Sequence, residues 1–436
     1  MECVAIDADR DDMADSHRVI LLAYYFPPDN TSGVQRAVRI AKYLPHFGFQ
    51  TDVVTSSHAG IDAGRPGAFY APTGDSHAPE YQQVLARIAQ RVAPYNERIE
   101  WVPHAVHGAR ALLSQGPVQA VISTSPPLAA HMAAFALKKR FGMKWIADFR
   151  DPLYGNPGRS RRWAAPYDRH LERLIFSAAD HVVAVTDTVA EDWTRRYPNL
   201  QHKFQVVWNG FDPEDALRPI ALPQRGHREL AHVGVLYSQR HPYRLVAALH
   251  RLVKGDSIDP RSIRLRFVGP IQERDRFEAD PASAALLKQG CMEISDNLIP
   301  RADANRLIAS SDFLLLIDIV NLSKSGYTVP AKLYDYILTG RPILALTDAN
   351  SPVDRILARS GVPFACLYHA DPDEEIDRKL LEFLRHSPDP VAPSAWFLEK
   401  FDGRNQAYAF ARLIGVPGSV ESNSSTAFSP AEKTRL

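Results

Sequence analysis

Short apolar runs without alternation recur along this chain, and few folds can use them. Residues 19–25 read VILLAYY, residues 313–319 read FLLLIDI, and residues 343–346 read ILAL. A strand with one wetted face alternates apolar and polar residues. A strand that is apolar throughout must be covered on both faces, as in a parallel sheet between helix layers. The intervening segments fit that scheme. Val34, Ala37, Val38, Ala41 and Leu44 recur at helical spacing, Gly48 can stop the helix, and residues 52–55 supply the next strand. The chain therefore opens with a βαβ unit, predicted to be right-handed.

The pattern continues to the end. Strands are expected at 118–123, 144–149, 181–185 and 205–210, with helices at 127–141 and 166–178. Residues 56–80, rich in Gly, Ala, Pro and His, read as a loop, and residues 81–106 as helical. A polar, proline-containing stretch reaches about residue 229. A second series follows, with strands at 230–236, 263–268, 313–319, 343–346 and 364–367 and helices at 243–253, 302–309, 374–384 and 396–413. A length of 436 residues exceeds one ordinary core, so two domains are expected, at 18–208 and 209–395. The lead (1–17) and the tail (415–436) are small and polar and read as disordered.

The net charge of +1 gives no reason to expect a nucleic-acid partner. It is unevenly spread: −5 over residues 1–16, +7 over 17–208 and −1 over 209–436. A basic first half suits an anionic partner such as a membrane surface, or is a scattered surface excess. Lys138, Lys139, Arg140 and the segment from Arg159 to Trp163 are the basic clusters of that half. Cys3, Cys291 and Cys366 are far apart, which argues against a disulfide framework or zinc site and fits a reducing compartment. No run approaches the roughly 18–20 apolar residues that span a bilayer. These features predict a cytoplasmic protein, with the inner membrane face as a peripheral station. No metal is expected: the histidines never take ligand spacing.

Four places can carry chemistry. In the stretch YTVPAKLYDYILTGRPILAL, residues 327–346, Pro330 suits a helix start and Gly340 a left-handed stop. Its helix carries Lys332 and Asp335, and its N-terminus could receive an anion; two solvated charges on a surface helix remain the plain alternative. Gly33 lies at the mouth of the first βα turn, where glycine permits close ligand approach or simply makes a turn. Asp148, Arg150 and Asp151 crowd the end of a predicted strand, the edge where parallel sheets bind ligands. They form either a local pair that fixes the loop or an acid and clamp facing a cleft. Arg240 follows the strand ending at Gly234 and is either solvated or a forked phosphate ligand.

Taken in order, these residues resemble a known family. Tyr25-Phe26-Pro27-Pro28 with Ser32-Gly33-Val34-Gln35-Arg36, then Asp148 to Pro152, Trp208-Asn209-Gly210-Phe211-Asp212, the Gly234 turn, Phe267-Val268-Gly269, and Pro330 to Tyr336 with Gly340-Arg341-Pro342 carry the likeness. It is to the retaining, family 4 (group 1) glycosyltransferases of the GT-B fold, two Rossmann-like domains facing across a cleft. The resemblance covers nearly everything from Arg18 to Ile414.

The resemblance implies transfer of a sugar from a nucleotide diphosphate sugar to a saccharide or lipid-linked acceptor, with retention, in surface polysaccharide or glycolipid biosynthesis. It implies no cofactor and no metal. Gly33, Asp148, Arg150, Asp151, Arg240 and Lys332 would line the reacting centre. Asn209, Ser238, Thr328, Val329, Pro330, Ala331, Tyr334 and Asp335 would hold the donor, with Asp335 toward the ribose. Residues 396–414 would cross back to the first domain. Three departures stand out. Tyr327 occupies the place of the family's first acid, Val235 that of its arginine, and Ser125 that of a sugar-contacting histidine; His131 is read as structural. Two other readings follow from the same residues: a nucleotide-sugar epimerase using Asp148 and Asp151, or a partner subunit without activity.

Overall fold

In a computed structural model of the chain, the residues described are 17–29, 33–57, 68–72, 97–156, 159, 162–237, 240–297, 299–318, 327 and 329–415. Among them, two wholly parallel sheets carry the architecture, of seven and six strands. The first domain runs β1 (His17–Ala23), α1 (Val34–Tyr43), β2 (Phe49–Ser57), β3 (Ala68–Pro72), α2 (Val102–Leu113), β4 (Ala120–Ser125), α3 (Ala129–Phe141), β5 (Lys144–Phe149), α4 (Ala165–Ala178), β6 (His181–Ala184), α5 (Asp187–Arg196) and β7 (Phe204–Val206). Its strand order is β3-β2-β1-β4-β5-β6-β7.

The second domain repeats the scheme. It runs β8 (Arg228–Val233), α6 (Tyr243–Lys254), β9 (Ile263–Val268), α7 (Arg274–Ala279), α8 (Pro281–Lys288), β10 (Met292–Ser295), α9 (Arg301–Ala309), β11 (Phe313–Ile317), α10 (Lys332–Thr339), β12 (Ile343–Thr347), α11 (Pro352–Ser360), β13 (Phe364–Tyr368) and α12 (Asp373–Phe383). The order β10-β9-β8-β11-β12-β13 reverses direction between β8 and β11, as the first sheet does between β1 and β4. Ligands of such sheets bind beyond the strands' carboxyl ends at that reversal.

The unbroken apolar runs are explained by two-sided burial. Ile20 and Leu22 face one core with Val121, Trp145 and Phe176, while Val19, Leu21 and Ala23 face another with Ala37, Ile40 and Phe410. The second sheet does the same. Leu230, Leu265 and Phe267 meet α6 and α12 on one side; Ala231, Val233, Leu314 and Leu316 meet α10 and α11 on the other.

Residues 396–413, expected as one helix, form parts of two. α13 (Ala395–Lys400) belongs to the second domain, its Phe397 and the following Phe401 packing with Phe211 and Tyr334. α14 (Gly403–Ile414) lies on the first, through Phe410, Ala411 and Ile414. The break is at Asp402, which is extended (φ −62°, ψ 128°) and accepts a hydrogen bond from the Arg404 backbone N–H, capping the new helix. The chain thus crosses between domains twice, at 207–212 and at 401–403.

The stretch 56–80, read as loop, contains β3, and α2 extends to Leu113. Residues 73–96, the lead 1–16 and the tail from 416 lie outside the described residues.

Candidate active site

The two strand reversals place their loops opposite each other. On the first-domain edge, Asp148 ends β5 and is completely buried. Its carboxylate accepts from the Arg36 guanidinium at 2.7 and 2.9 Å and from the Thr124 hydroxyl at 2.8 Å. Arg36, equally buried, also donates to the carbonyls of Val207 (2.9 Å) and Trp208 (3.1 Å). Asp148 therefore does not face the cleft. It fixes α1 and the interdomain crossing to the sheet, because an arginine buried there without a counter-charge would be prohibitive.

Arg150 reaches the other way. Its guanidinium donates to the carbonyls of Gly33, Pro126 and Ser125, tying the loops after β1 and β4 together. A Cβ on Gly33 would collide with that guanidinium, and this close approach explains the glycine. Asp151 remains at the edge. Burial pushes its pKa above the usual carboxylate range, while Arg150 and, from the second domain, Arg240 pull it down.

The second-domain edge is built differently. β8 is followed by Gly234, whose φ of +118° suits glycine, and a Cβ there would lie 2.8 Å from the Lys332 amine. Lys332 opens α10 and points its Nζ to within 3.2 Å of His232 Nε2. Burial, then the nearby Arg240 charge, bring the Lys332 pKa down to about 7. Arg240 follows the same turn: its backbone N–H donates to the Tyr237 carbonyl at 2.8 Å, and its guanidinium lies over the Tyr237 ring. One turn further along α10, burial pushes Asp335 up to about 6, against the pull of Arg301 and Arg39. Gly340 closes the helix in the left-handed conformation, φ 68°.

Gly33, Arg150, Asp151, Arg240 and Lys332 thus converge, whereas several expected donor ligands do not. Asn209 accepts a hydrogen bond from Arg39, a buried residue of α1 whose Nε also donates to Gln406 at 3.0 Å. Tyr334 is 1% exposed and packs against Phe397 and Phe401, a core residue and not a donor contact. Pro330 is buried, Val329 lies against the second-domain core, and Ala331 is the exposed residue before α10. Ser238 and Thr328 lie outside the described residues.

Tyr327, in place of the family's acid, packs against the first-domain core, with its phenol beside Asp192 of α5. His131 is structural: it is buried, pairs with the Ser123 hydroxyl at 2.7 Å, and burial takes its pKa down to about 3. The basic clusters are partly spent internally. Arg159 pairs with Glu97 and Asp168, and Lys138 with Asp180 at 2.7 Å. Sequence reasoning missed Arg36, Arg39 and His232. The available signal for His232 was a polar residue inside a strand run, 230–236, otherwise read as covered on both faces.

Residues 31–215 match the model of Glycosyltransferase Family 4. No curated protein matches the chain in sequence. Solved structures do match in shape. Sucrose-phosphate synthase from Thermosynechococcus elongatus shares 13% identity and a TM-score of 0.55, over 91% of this chain and 96% of that one. WaaG, a glycosyltransferase involved in lipopolysaccharide biosynthesis, shares 18% and 0.54, over 92% and 97%. Anabaena HepE in complex with UDP-glucose shares 13% and 0.55, over 91% and 98%. The chain has the GT-B fold, and residues 31–215 are similar to Glycosyltransferase Family 4. In this GT-B chain the two cationic side chains come from the second domain and the glycine loop from the first, so the site exists only between them. Among the described residues no helix is long and apolar enough to cross a membrane.

Proposed function

We propose that this GT-B protein transfers a sugar, with retention, from a nucleoside diphosphate sugar to a saccharide or lipid-linked acceptor. The observation that carries the reading is the convergence of Arg240 and Lys332 on the Gly234 turn, opposite Gly33, Arg150 and Asp151. Two cations beside a glycine turn at a strand reversal suit a diphosphate. The HepE structures with UDP and UDP-glucose support a donor of that class. Asp335, half-buried on the same helix, would accept from the donor ribose.

In this reading the bond from the anomeric carbon to the phosphate oxygen breaks as the acceptor oxygen bonds on the same face. The acceptor proton passes to the departing phosphate oxygen. Arg240 and Lys332 stabilise the charge that builds on that oxygen. No protein nucleophile takes part: the Asp148 carboxylate is committed to Arg36 and Thr124. The same commitment weighs against an epimerase, which would need Asp148 as well as Asp151. The proposal requires neither cofactor nor metal and places the protein at the inner membrane face, building a surface polysaccharide or glycolipid.

The test is incubation with UDP-, GDP- and ADP-sugars and a panel of saccharide acceptors. The expected result is nucleoside diphosphate release that depends on acceptor, with the donor's anomeric configuration kept in the product by NMR. Conversion of a sugar nucleotide without acceptor would assign an epimerase. Absence of any nucleoside diphosphate binding by calorimetry would assign a partner subunit.

A further inference from the structure

We propose that His232 is a positioning residue that holds Lys332 ready to accept a proton from solvent as the donor diphosphate binds. The inference rests on the reading above and extends it to a residue that lies outside every motif of the site. His232 sits on β8, 3% exposed, in a strand whose neighbours are apolar. Its two nitrogens have unlike partners. Nδ1 lies 3.0 Å from the Leu315 carbonyl, which can only accept, so Nδ1 carries the proton. Nε2 is then an acceptor, 3.2 Å from Lys332 Nζ, with the Val235 backbone also beside the ring. The neutral tautomer is locked, and the lysine is the donor.

The geometry explains both ends of the pair. Gly234, lacking a Cβ, leaves the space in which the amine sits. Leu315 lies on β11, adjacent to β8 in the sheet, so the carbonyl that sets the tautomer belongs to the frame and not to a loop. Among the described residues, few charged groups face the pair. Lys332 sees Arg240, and His232 sees Lys332 and Arg240; Asp151 answers Arg240 from across the cleft. Burial first, and then the positive neighbours Lys332 and Arg240, keep the imidazole neutral, which is the state the donating lysine needs. With its pKa near 7, Lys332 is largely uncharged in the empty site at pH 8. A diphosphate brings the missing anion, so its binding draws a proton onto the amine, supplied by water or buffer. His232 keeps the new ammonium aimed at the turn instead of swinging toward Asp151.

Calorimetry of UDP binding, in buffers of different ionisation enthalpy between pH 6 and 8.5, reads this directly. The wild type should take up little proton at pH 6 and most of one at pH 8.5, as expected for a group with a free pKa of about 7. His232→Phe keeps the ring volume but removes the acceptor. Its UDP affinity should fall about tenfold, as for a lost hydrogen bond to a charged group, and its uptake should begin at lower pH. His232→Gln, which restores an acceptor that does not titrate, should recover most of that affinity and the original uptake profile. UDP binding without proton uptake at any of these pH values overturns the inference and leaves the donor reading intact. So does an uptake profile unchanged in His232→Phe; a purely structural histidine would lower the melting temperature and leave uptake alone. If UDP, GDP and ADP all fail to bind, the donor reading falls and this inference with it.

Discussion

The two edges of the cleft hold similar residue types in opposite states. On the first-domain edge, charges are answered on the spot: Asp148 by Arg36 and Thr124, and Arg150 by the carbonyls of Gly33, Ser125 and Pro126. On the second-domain edge, among the described residues, Lys332 has a neutral imidazole for a partner, and Arg240 interacts with the opposite charge of Asp151 across the cleft. The first edge is a scaffold that has already taken its ion pairs. The second holds positive charge in a half-buried place without a local counter-ion, a state that proteins keep where a ligand supplies one. The pKa directions follow. Among the described residues no acid acts on Lys332, and burial, then Arg240, bring it down to about 7.

That contrast is easiest to break at the receiving edge. Replacing Arg240 and Lys332 together by Ala should lower kcat/KM for transfer by at least about 10³-fold, since one positioned donor to a developing oxyanion is worth about 10²–10³. Thermal stability should hold or rise, because the change removes a half-buried charge. Initial-rate kinetics and a melting curve check both halves. Unchanged turnover would remove the phosphate role from this edge.

The scaffold edge should respond in the reverse sense. Asp148→Ala strands the buried Arg36 guanidinium, a loss of about 3–5 kcal/mol. For a domain of this size that is a fall of about 10 °C in melting temperature. UDP affinity, which depends on the second domain, should change little in protein that remains folded. Adding Arg36→Met should restore much of the stability, because the pair is then replaced by apolar volume. A double variant no more stable than Asp148→Ala would mean that Asp148 serves something other than Arg36.

The same contrast explains what the sequence made legible. Most strands of both sheets could be read, β10 excepted, because strands buried on two faces show as unbroken apolar runs; Gly234 and Gly340 mark turns whose geometry needs them and Gly33 a close approach. Gly33, Arg150, Arg240 and Lys332 could be placed near the cleft from their positions after strands. The state of each charge could not be read. Whether Asp148 meets Arg36 or a substrate depends on a residue 112 positions away, and that distance is set by the fold alone. β3 was hidden because a short edge strand in a Gly- and Pro-rich stretch carries no two-sided run. The break at Asp402 was hidden because Phe397, Phe401, Phe410 and Ile414 keep helical spacing while facing two different domains.

Tyr327 offers the smallest and sharpest test, because it belongs by sequence to the receiving edge and by contact to the scaffold. Its ring packs on the first-domain core and its phenol lies beside Asp192, so it acts as a strap between domains. Tyr327→Phe keeps the ring and removes the polar contact with Asp192, an effect of about 1 kcal/mol. Nucleotide affinity measured with UDP should stay within about twofold, since the ring does not reach the donor edge. The kcat/KM for transfer should fall about threefold to tenfold, because acceptor and donor edges must be held together for the step. Tyr327→Glu places a second carboxylate against Asp192 and should fall further. If Glu instead raised activity, the side chain would be facing the donor sugar, and the strap assignment would fail. The two variants therefore separate an interdomain contact from a sugar ligand by the direction in which the rate moves.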